Sequence, residues 1–233
     1  MNLQPIQWAI SWTRERIAPN NISAMKMNWP GNTTAISAAL LVAIATLTGC
    51  VQDDPYERPS EAEDIVDDEI LERIEEAGQE VYGGSTPPDI EASYEVRDGE
   101  IVFDERWQEE AGGDWCDATW TFTQTENPDR YESQTVLEGD CSGESEGDAV
   151  YISGTDRCFS LYSRDQGEFE GCERDTIRVI SGCLTDEGID DFGVAQIATD
   201  MSGDDCENLV DDRQMNGVDY LRLFHADIAT KVE

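Results

Sequence analysis

Ile90-Glu91-Ala92-Ser93-Tyr94-Glu95-Val96, followed by Asp98-Gly99 and Ile101-Val102-Phe103, is the stretch that decides the fold class. Its first run alternates apolar and polar side chains with a period of two, which is typical of a strand with one buried face. An Asp-Gly pair between two such runs is a hairpin signal. The stretch therefore predicts two antiparallel strands joined by a tight turn, opening a β domain.

The same kind of short strand recurs toward the C-terminus, between turns rich in Gly, Asp and Ser. About nine strands in succession, without intervening long helices, indicate an antiparallel architecture. We therefore predict a mainly β fold over residues 87–233, either a small barrel or a sandwich. The further strand candidates are Ala118–Gln124, Ser133–Glu138, Ala149–Ser153, Cys158–Ser163, Thr176–Leu184, Phe192–Ala198 and Val218–Phe224.

One amphipathic helix is predicted ahead of this domain, over residues 61–78. Ser60 and Glu63 have the spacing of a capping box, and Gly78 is a stop signal. Residues 50–60 are polar and punctuated by proline, which is typical of a linker. The apolar stripe of the helix needs a partner, most simply the β domain and alternatively another protein. The stripe consists of Val66, Ile70, Ile74 and Ala77.

Six cysteines fall within the predicted β domain. An even number predicts three disulfides in a chain that leaves the reducing cytosol, although six cysteines allow about 15 arrangements. Nearest neighbours along the chain are favoured, because each such pair flanks an apparent strand–turn–strand unit. A zinc site is the alternative, but the chain has no Cys-x-x-Cys and a single histidine, His225. The favoured pairs are Cys116–Cys141, Cys158–Cys172 and Cys183–Cys206.

The formal net charge of −37 limits the classes of molecule that the protein can bind. Nucleic acids and anionic lipid surfaces are bound through Lys/Arg clusters that such a chain lacks, so nucleic-acid binding is excluded. Calcium is an alternative at one acidic group, but the spaced ligand pattern of a calcium loop is missing there. We therefore predict no metal and no cofactor. That acidic group consists of Asp204, Asp205, Glu207, Asp211 and Asp212.

A catalytic pattern is present at Gly143-Glu144-Ser145-Glu146-Gly147, which fits G-x-S-x-G. The surrounding sequence argues against a serine hydrolase, since a strand rather than a helix follows Ser145. Glu144 and Glu146 would also oppose the oxyanion that such a site must stabilise. The segment is interpreted as a hairpin turn, and the protein as non-enzymatic.

Leu47-Thr48-Gly49-Cys50 ends an apolar run that begins at Ala35 and is too short for a bilayer span of about 20 residues. The tetrad resembles the lipobox of bacterial lipoproteins, in which the cysteine is acylated and the peptide is cut before it. The resemblance implies that residues 1–49 are a signal peptide and that Cys50 is the lipid anchor.

Two further features refine the lipoprotein interpretation. Starting at Met25 gives a signal peptide of ordinary length, so residues 1–24 are interpreted as an upstream misannotation. Val51 and Gln52, with no Asp directly after Cys50, resemble outer-membrane retention. We therefore expect a protein of the bacterial cell envelope, at the outer membrane.

The segment from Tyr82 to Tyr94 resembles the opening of a group of poorly characterised bacterial lipoproteins. In that group a helix and a Gly-containing turn precede Asn-Pro-Pro-x-Ile-Glu-Gly-x-Tyr and a β-rich, lipocalin-like body. Pro87-Pro88, Ile90-Glu91 and Tyr94 match, whereas Thr86 replaces Asn and Ala92 replaces Gly. The resemblance implies an architecture and no activity.

Two functions remain open at the level of sequence. The first is a non-enzymatic binding module that meets another envelope protein. The second is a lipocalin-like carrier of a small apolar or amphipathic ligand, because some eight-stranded barrels hold a ligand in their interior. Six aromatic residues are predicted either to line that interior or, as the simpler interpretation, to fill it as core: Tyr94, Trp120, Phe122, Tyr151, Phe159 and Tyr162.

Overall fold

In the computed structural model of the protein, residues 57–107, 113–139, 141–211 and 214–232 are described. The predicted signal peptide, Cys50 and most of the predicted linker lie outside the described residues. Within them the fold is mainly β, as predicted, and the antiparallel strands close into a barrel rather than a sandwich.

Three short helices and eleven strands occur among the described residues. The helices are α1 (Ser60–Glu63), α2 (Asp68–Glu76) and α3 (Cys206–Asp211). The first six strands are β1 (Ser85–Thr86), β2 (Ala92–Val96), β3 (Glu100–Asp104), β4 (Gly113–Asp114), β5 (Ala118–Gln124) and β6 (Arg130–Leu137). The last five are β7 (Gly143–Thr155), β8 (Cys158–Phe169), β9 (Cys172–Leu184), β10 (Gly188–Ser202) and β11 (Leu221–Lys231).

The barrel is a closed ring of eight strands, most of which pair with the next strand along the chain. Strands β5 to β10 form an antiparallel meander, and β11 pairs with β10. On its other edge β11 pairs with β2, which in turn pairs with β5 and closes the ring. Because side chains alternate along each strand, every second residue points into the barrel.

Strands β2 and β3 do not form the predicted hairpin. Both pair with β11 in one continuous register, Val96 opposite Ala229 and Glu100 opposite His225. Asp98 has φ 54°, a left-handed conformation that Asp tolerates better than most residues, and it kinks a strand that continues. The chain turns back only after β3, where Glu100 pairs with Asp114 of β4.

The predicted turn at Gly143–Gly147 is also wrong, because the segment begins strand β7. Ser145 pairs with Thr135 on one side and with Gly167 on the other. A Cβ on Gly147 would lie 2.6 Å from the hydroxyl oxygen of Ser133, so this glycine permits close packing across the strands. Strands β7 to β10 are consequently 12 to 15 residues long, against the short strands predicted.

Helices α1 and α2 replace the single helix predicted over residues 61–78. Ser60 does not cap α1, since its hydroxyl donates to the Glu61 carboxylate, whereas Asp67 caps α2 by accepting from the Ile70 N–H at 2.9 Å. Gly78 follows α2 with φ 109°. Among the described residues no helix is long and apolar enough to cross a membrane.

The barrel wall separates two apolar clusters. One fills part of the interior, and the other lies between the outer wall and the helices. Val66 and Ile74 of the helical segment pack in the outer cluster against Val179 and Ile197. The helices therefore dock on the barrel, which is the simpler partner that their apolar stripe predicted.

The three disulfides are Cys116–Cys141, Cys158–Cys183 and Cys172–Cys206. The first is the predicted pair, and the other two correct the nearest-neighbour scheme. Cys158 and Cys183 stand opposite each other in the β8–β9 ladder, so the pairing of strands sets that bridge. Cys172 instead reaches Cys206 at the start of α3. Each bridge stabilises the fold by about 3–4 kcal/mol in the chain-entropy model.

Candidate functional site

Aromatic side chains fill one half of the barrel interior, which we call the filled half. Tyr94, Phe122, Phe159 and Phe192 are fully buried there. The ring of Trp120 packs against Phe192 with the two centroids 5.8 Å apart. Since rings of this kind meet at 4.5–7 Å in packed cores, this half leaves no room for a ligand.

Two of the six aromatic residues predicted to line the interior lie on the opposite side of the wall. Tyr151 and Tyr162 belong to the outer cluster beneath the helices. Their strand neighbours Val150 and Leu161 point inward instead, because successive side chains alternate between faces. Of the four inward residues, only Trp120 borders open space.

The other half of the interior contains a cavity of about 640 Å³, which we call the open half. Its apolar wall includes Trp115, Trp120 and Phe224, with the Trp115 and Phe224 rings stacked at 4.4 Å. Its polar wall is dominated by arginine. The three arginines that line it are Arg174, Arg178 and Arg222.

Strand register explains why these polar residues converge. Arg178 stands opposite Gln196, Gln196 opposite Arg222, and Arg222 opposite Asp104. Paired residues on neighbouring strands point to the same face of a sheet, so one inward residue places the whole row inside. The barrel therefore carries a polar row at one level.

Two of the arginines have buried carboxylate partners. Arg178 pairs with Asp165 and also donates from Nη1 to the Ser145 hydroxyl at 2.8 Å. Arg222 donates from Nε to Asp104 at 2.6 Å. All four of the paired side chains are at most 4% exposed. Buried side chains can stay charged in such pairs, because the attraction and the hydrogen bonds offset the cost of removing the charges from water.

Arg174 differs from both. Within the described ranges it forms no ion pair, and its guanidinium carbon lies 5.7 Å from the Phe169 ring centroid. Burial, together with the positive charges of Arg178 and Arg222, lowers the pKa of Arg174 to about 9. The side chain remains cationic at neutral pH, and its charge is poorly compensated by the protein.

Several buried polar atoms of the cavity wall have no hydrogen-bond partner within the structure. They include the indole N–H of Trp120, Nε of Arg178 and the hydroxyl of Thr135. Each of these side chains is at most 3% exposed. Leaving a buried donor or acceptor unpaired costs about 1–3 kcal/mol, so such groups mark places where water or a ligand binds.

The Ser145 pattern does not form a nucleophile elbow. Ser145 lies within strand β7, where its hydroxyl is bound by Arg178. His225 lies on β11 next to the inward Phe224, and lines a separate cavity of about 350 Å³ together with Tyr82 and Asp191. Asp227 is the nearest carboxylate partner of His225, with 3.7 Å between Nε2 and Oδ1.

The acidic group around α3 forms no metal cluster in the described part of the chain. Asp204, Asp205, Glu207 and Asp211 are exposed there, and Asp212 lies outside the described residues.

Sequence reasoning missed the arginines, although a signal for two of them exists. Arg178 stands two residues before Ile180, and Arg222 two residues before Phe224, and both apolar residues face the interior. A period of two therefore places each arginine on the inward face. Charged residues are rarely buried, so an arginine on the core face of a strand is a signal that can be read from the sequence, above all in a chain of net charge −37.

The chain was compared with family models, with curated proteins and with solved structures, and no match was found. The chemistry of the open half is therefore the basis for assigning a function.

Proposed function

We propose that this protein is a lipid-anchored binding module of the bacterial cell envelope, and that its barrel holds a small amphipathic molecule in the open half. This favours the carrier interpretation over docking to another protein. The observation that carries it is the cavity of about 640 Å³ inside a barrel whose other half is tightly filled.

The size and lining of the cavity support a ligand. Small-molecule sites are concave, about 300–1,000 Å³ in volume, largely apolar and equipped with a few convergent polar groups. Here Trp115, Trp120 and Phe224 supply the apolar wall, while Arg174 and Arg178 supply the polar groups. Of the apolar and amphipathic ligands expected from sequence, these polar groups favour an amphipathic one.

Unpaired polar atoms support the same proposal. Natural cores rarely keep buried donors without partners, and exceptions concentrate at functional sites. Trp120 and Arg178 each keep one such donor at the cavity wall. Ordered water would satisfy these groups in the empty protein. A ligand that replaces the water would accept hydrogen bonds from the same donors and pack against the aromatic wall.

The binding test uses N-phenylnaphthylamine, a neutral probe that fluoresces in apolar sites. The protein is the full chain with Cys50→Ser, so that no detergent micelles compete for the probe. Thr135→Trp fills the cavity, whereas Val136→Trp adds the same side chain to the next residue on the outer face. We expect Thr135→Trp to weaken probe binding at least tenfold and Val136→Trp to leave it unchanged.

Equal probe binding by the two tryptophan variants would show that the cavity is not the site. Native mass spectrometry of protein purified from its own membrane provides a second measurement. A retained small molecule of constant mass supports the carrier function, and a co-purifying protein in its place supports the docking function instead.

The anchor part of the proposal is tested separately. Acyl chains contribute about 0.8 kcal/mol per buried CH₂, so two or three chains hold a protein at a membrane durably. Cys50→Ser removes the acylated thiol and is expected to release the protein into soluble fractions. Cys158→Ser, which removes a cysteine of the barrel, is the control that should leave the protein at the membrane. Retention of the Cys50→Ser protein at the membrane would refute the anchor.

A further inference from the structure

We propose that the ligand of the open half is a monoanion, an aromatic or polycyclic acid whose carboxylate or sulfonate group binds Arg174. This inference rests on the proposed function and deepens it, since it names the class of ligand. It follows from the balance of charge in the cavity and from the shape of its apolar wall.

When the buried ion pairs of the cavity wall are counted, one arginine has no carboxylate partner. The cavity wall carries three arginines, and two of them are matched by Asp165 and Asp104. Arg174 forms no ion pair with any described carboxylate. Two exposed carboxylates, Asp114 and Glu170, also border the cavity, but neither forms an ion pair with Arg174, and Glu170 Oε1 accepts from the Ser142 N–H at 2.6 Å.

An unmatched cation in a poorly hydrated site destabilises the fold, and an anion that binds there removes the penalty. Arg174 stands near Arg178 and Arg222, so positive charge is concentrated at this wall of the cavity although the protein as a whole carries a formal charge of −37. The expected ligand is therefore anionic, even though the outer surface repels anions.

The number of charges on the ligand follows from the same balance. One singly charged group neutralises the one unmatched arginine. A phosphate dianion would leave one negative charge unmatched beside the paired Asp104 and Asp165, and the acidic surface would oppose its approach more strongly than that of a monoanion. A carboxylate or sulfonate fits, because a guanidinium binds two oxygens of such a group through parallel N–H bonds.

Two further hydrogen-bond donors line the same cavity as Arg174. The indole N–H of Trp120 and Nε of Arg178 are buried without partners at the same cavity wall. The register places Trp120 and Arg174 in one inward row, since Trp120 pairs with Thr135, Thr135 with Ser145, Ser145 with Gly167, and Gly167 with Arg174. Arg178 stands four residues after Arg174 on β9, so it faces the same side of that strand.

The apolar wall indicates the body of the ligand. Trp115 stacks on Phe224 with the centroids 4.4 Å apart, and the Trp115 and Trp120 rings are 6.2 Å apart. Flat, rigid rings form a surface that matches another flat ring better than a flexible alkyl chain, because stacking orders fewer rotatable bonds. An aromatic or polycyclic acid fits this surface.

The test compares two probes that share one aromatic skeleton. Anilinonaphthalene sulfonate carries a single sulfonate, and N-phenylnaphthylamine lacks it. Both are titrated into the full chain with Cys50→Ser, and into the same chain with Arg174→Gln. Arg157→Gln is the matched control, because it removes one positive charge at an exposed turn of the barrel.

We expect Arg174→Gln to weaken binding of the sulfonate about tenfold to a hundredfold, the range for a charged hydrogen-bonded contact, and to change binding of the neutral probe less than twofold. Arg157→Gln should change neither. Thr135→Trp should remove binding of both probes, which locates them in the cavity rather than on the surface.

Three outcomes would overturn the inference. If both probes bind the wild-type cavity and Arg174→Gln weakens both equally or neither, the ligand need not be an anion, and the proposed function still stands. If the neutral probe binds and the sulfonate does not, the same conclusion holds. If neither probe binds in the cavity, the inference and the proposed function fail together.

Discussion

The two halves of the barrel interior are built from the same strands and differ in what they contain. In the filled half, Phe122, Phe159 and Phe192 belong to one cluster of buried apolar side chains. In the open half, Arg174 lines a cavity. Burying a large apolar side chain stabilises a fold by about 1.5–3 kcal/mol. Buried ion pairs contribute little net stability, so the open half gives up stability to keep its chemistry.

Disulfides lie unevenly between these halves. Cys116 and Cys141 line the cavity, and Cys172–Cys206 belongs to a third, small apolar cluster, of which Phe169 also lines the cavity. Only Cys158–Cys183 lies away from that cluster. Covalent bridges therefore brace the half in which apolar packing is thinnest.

The largest expected effect is on the filled half. Phe159→Ala should lower the free energy of unfolding by about 3–5 kcal/mol, because Phe159 is fully buried and the surrounding rings cannot collapse into the space. Chemical denaturation measures the change. The matched variant Phe169→Ala at the cavity should cost less than half as much, since the wall there already faces open space. Equal losses would contradict the distinction between the halves.

Breaking a buried ion pair of the open half should have the next largest effect. Asp165→Ala leaves Arg178 buried without a carboxylate, and we expect a loss of about 3 kcal/mol in the free energy of unfolding. The double variant Asp165→Leu with Arg178→Met should recover most of it, because two apolar side chains need no partner. A double variant as unstable as the single one would show that the pair itself stabilises the barrel.

Alkaline pH should act on the filled half. Burial, with the charge of Asp89, raises the pKa of Tyr94 and of Tyr131 to about 12, against 10 in the unfolded chain. Their neutral forms are favoured by folding, so this stability is complete below pH 10 and is lost as the pH rises toward 12. The loss is on the order of 2–3 kcal/mol for each tyrosine.

Denaturation at several pH values measures that loss. Tyr131→Phe should reduce the slope above pH 10, and Tyr220→Phe, which alters an exposed tyrosine, should not. An unchanged slope in Tyr131→Phe would show that this phenol does not control the alkaline limit.

The smallest expected effect is a gain. Arg174→Gln removes a desolvated cation near two others and should raise the free energy of unfolding by about 1 kcal/mol. Arg157→Gln should stay within about 0.5 kcal/mol of the parent. A loss of stability in Arg174→Gln would show that this arginine serves the fold, and would remove the contrast between the halves.

Local patterns predicted the fold class and parts of the fold in detail. Strand β5 has the predicted bounds, Ala118–Gln124, because a period-two pattern of large apolar residues has one stable placement. Cys116–Cys141 was also predicted. The cavity was not, since interior alternation looks the same whether the inward side chains meet or leave space between them.

The failures share one physical cause. Asp98-Gly99 and Gly143–Gly147 carry turn residues, yet both lie along strands that continue. A positive φ kinks the first, and the second needs glycine because a side chain there would collide with the next strand. Contacts between distant strands decide such cases, and these contacts are absent from the local sequence.

The sequence by itself determined a mainly β chain with six cysteines in its β domain and a strongly acidic composition, because alternation, residue counts and charge are properties of the chain. Only the tertiary structure decided that Cys158 meets Cys183 and that Arg174, Arg178 and Arg222 face one cavity. Register across a closed ring of strands brings these residues together, and register is fixed by packing between segments far apart along the chain.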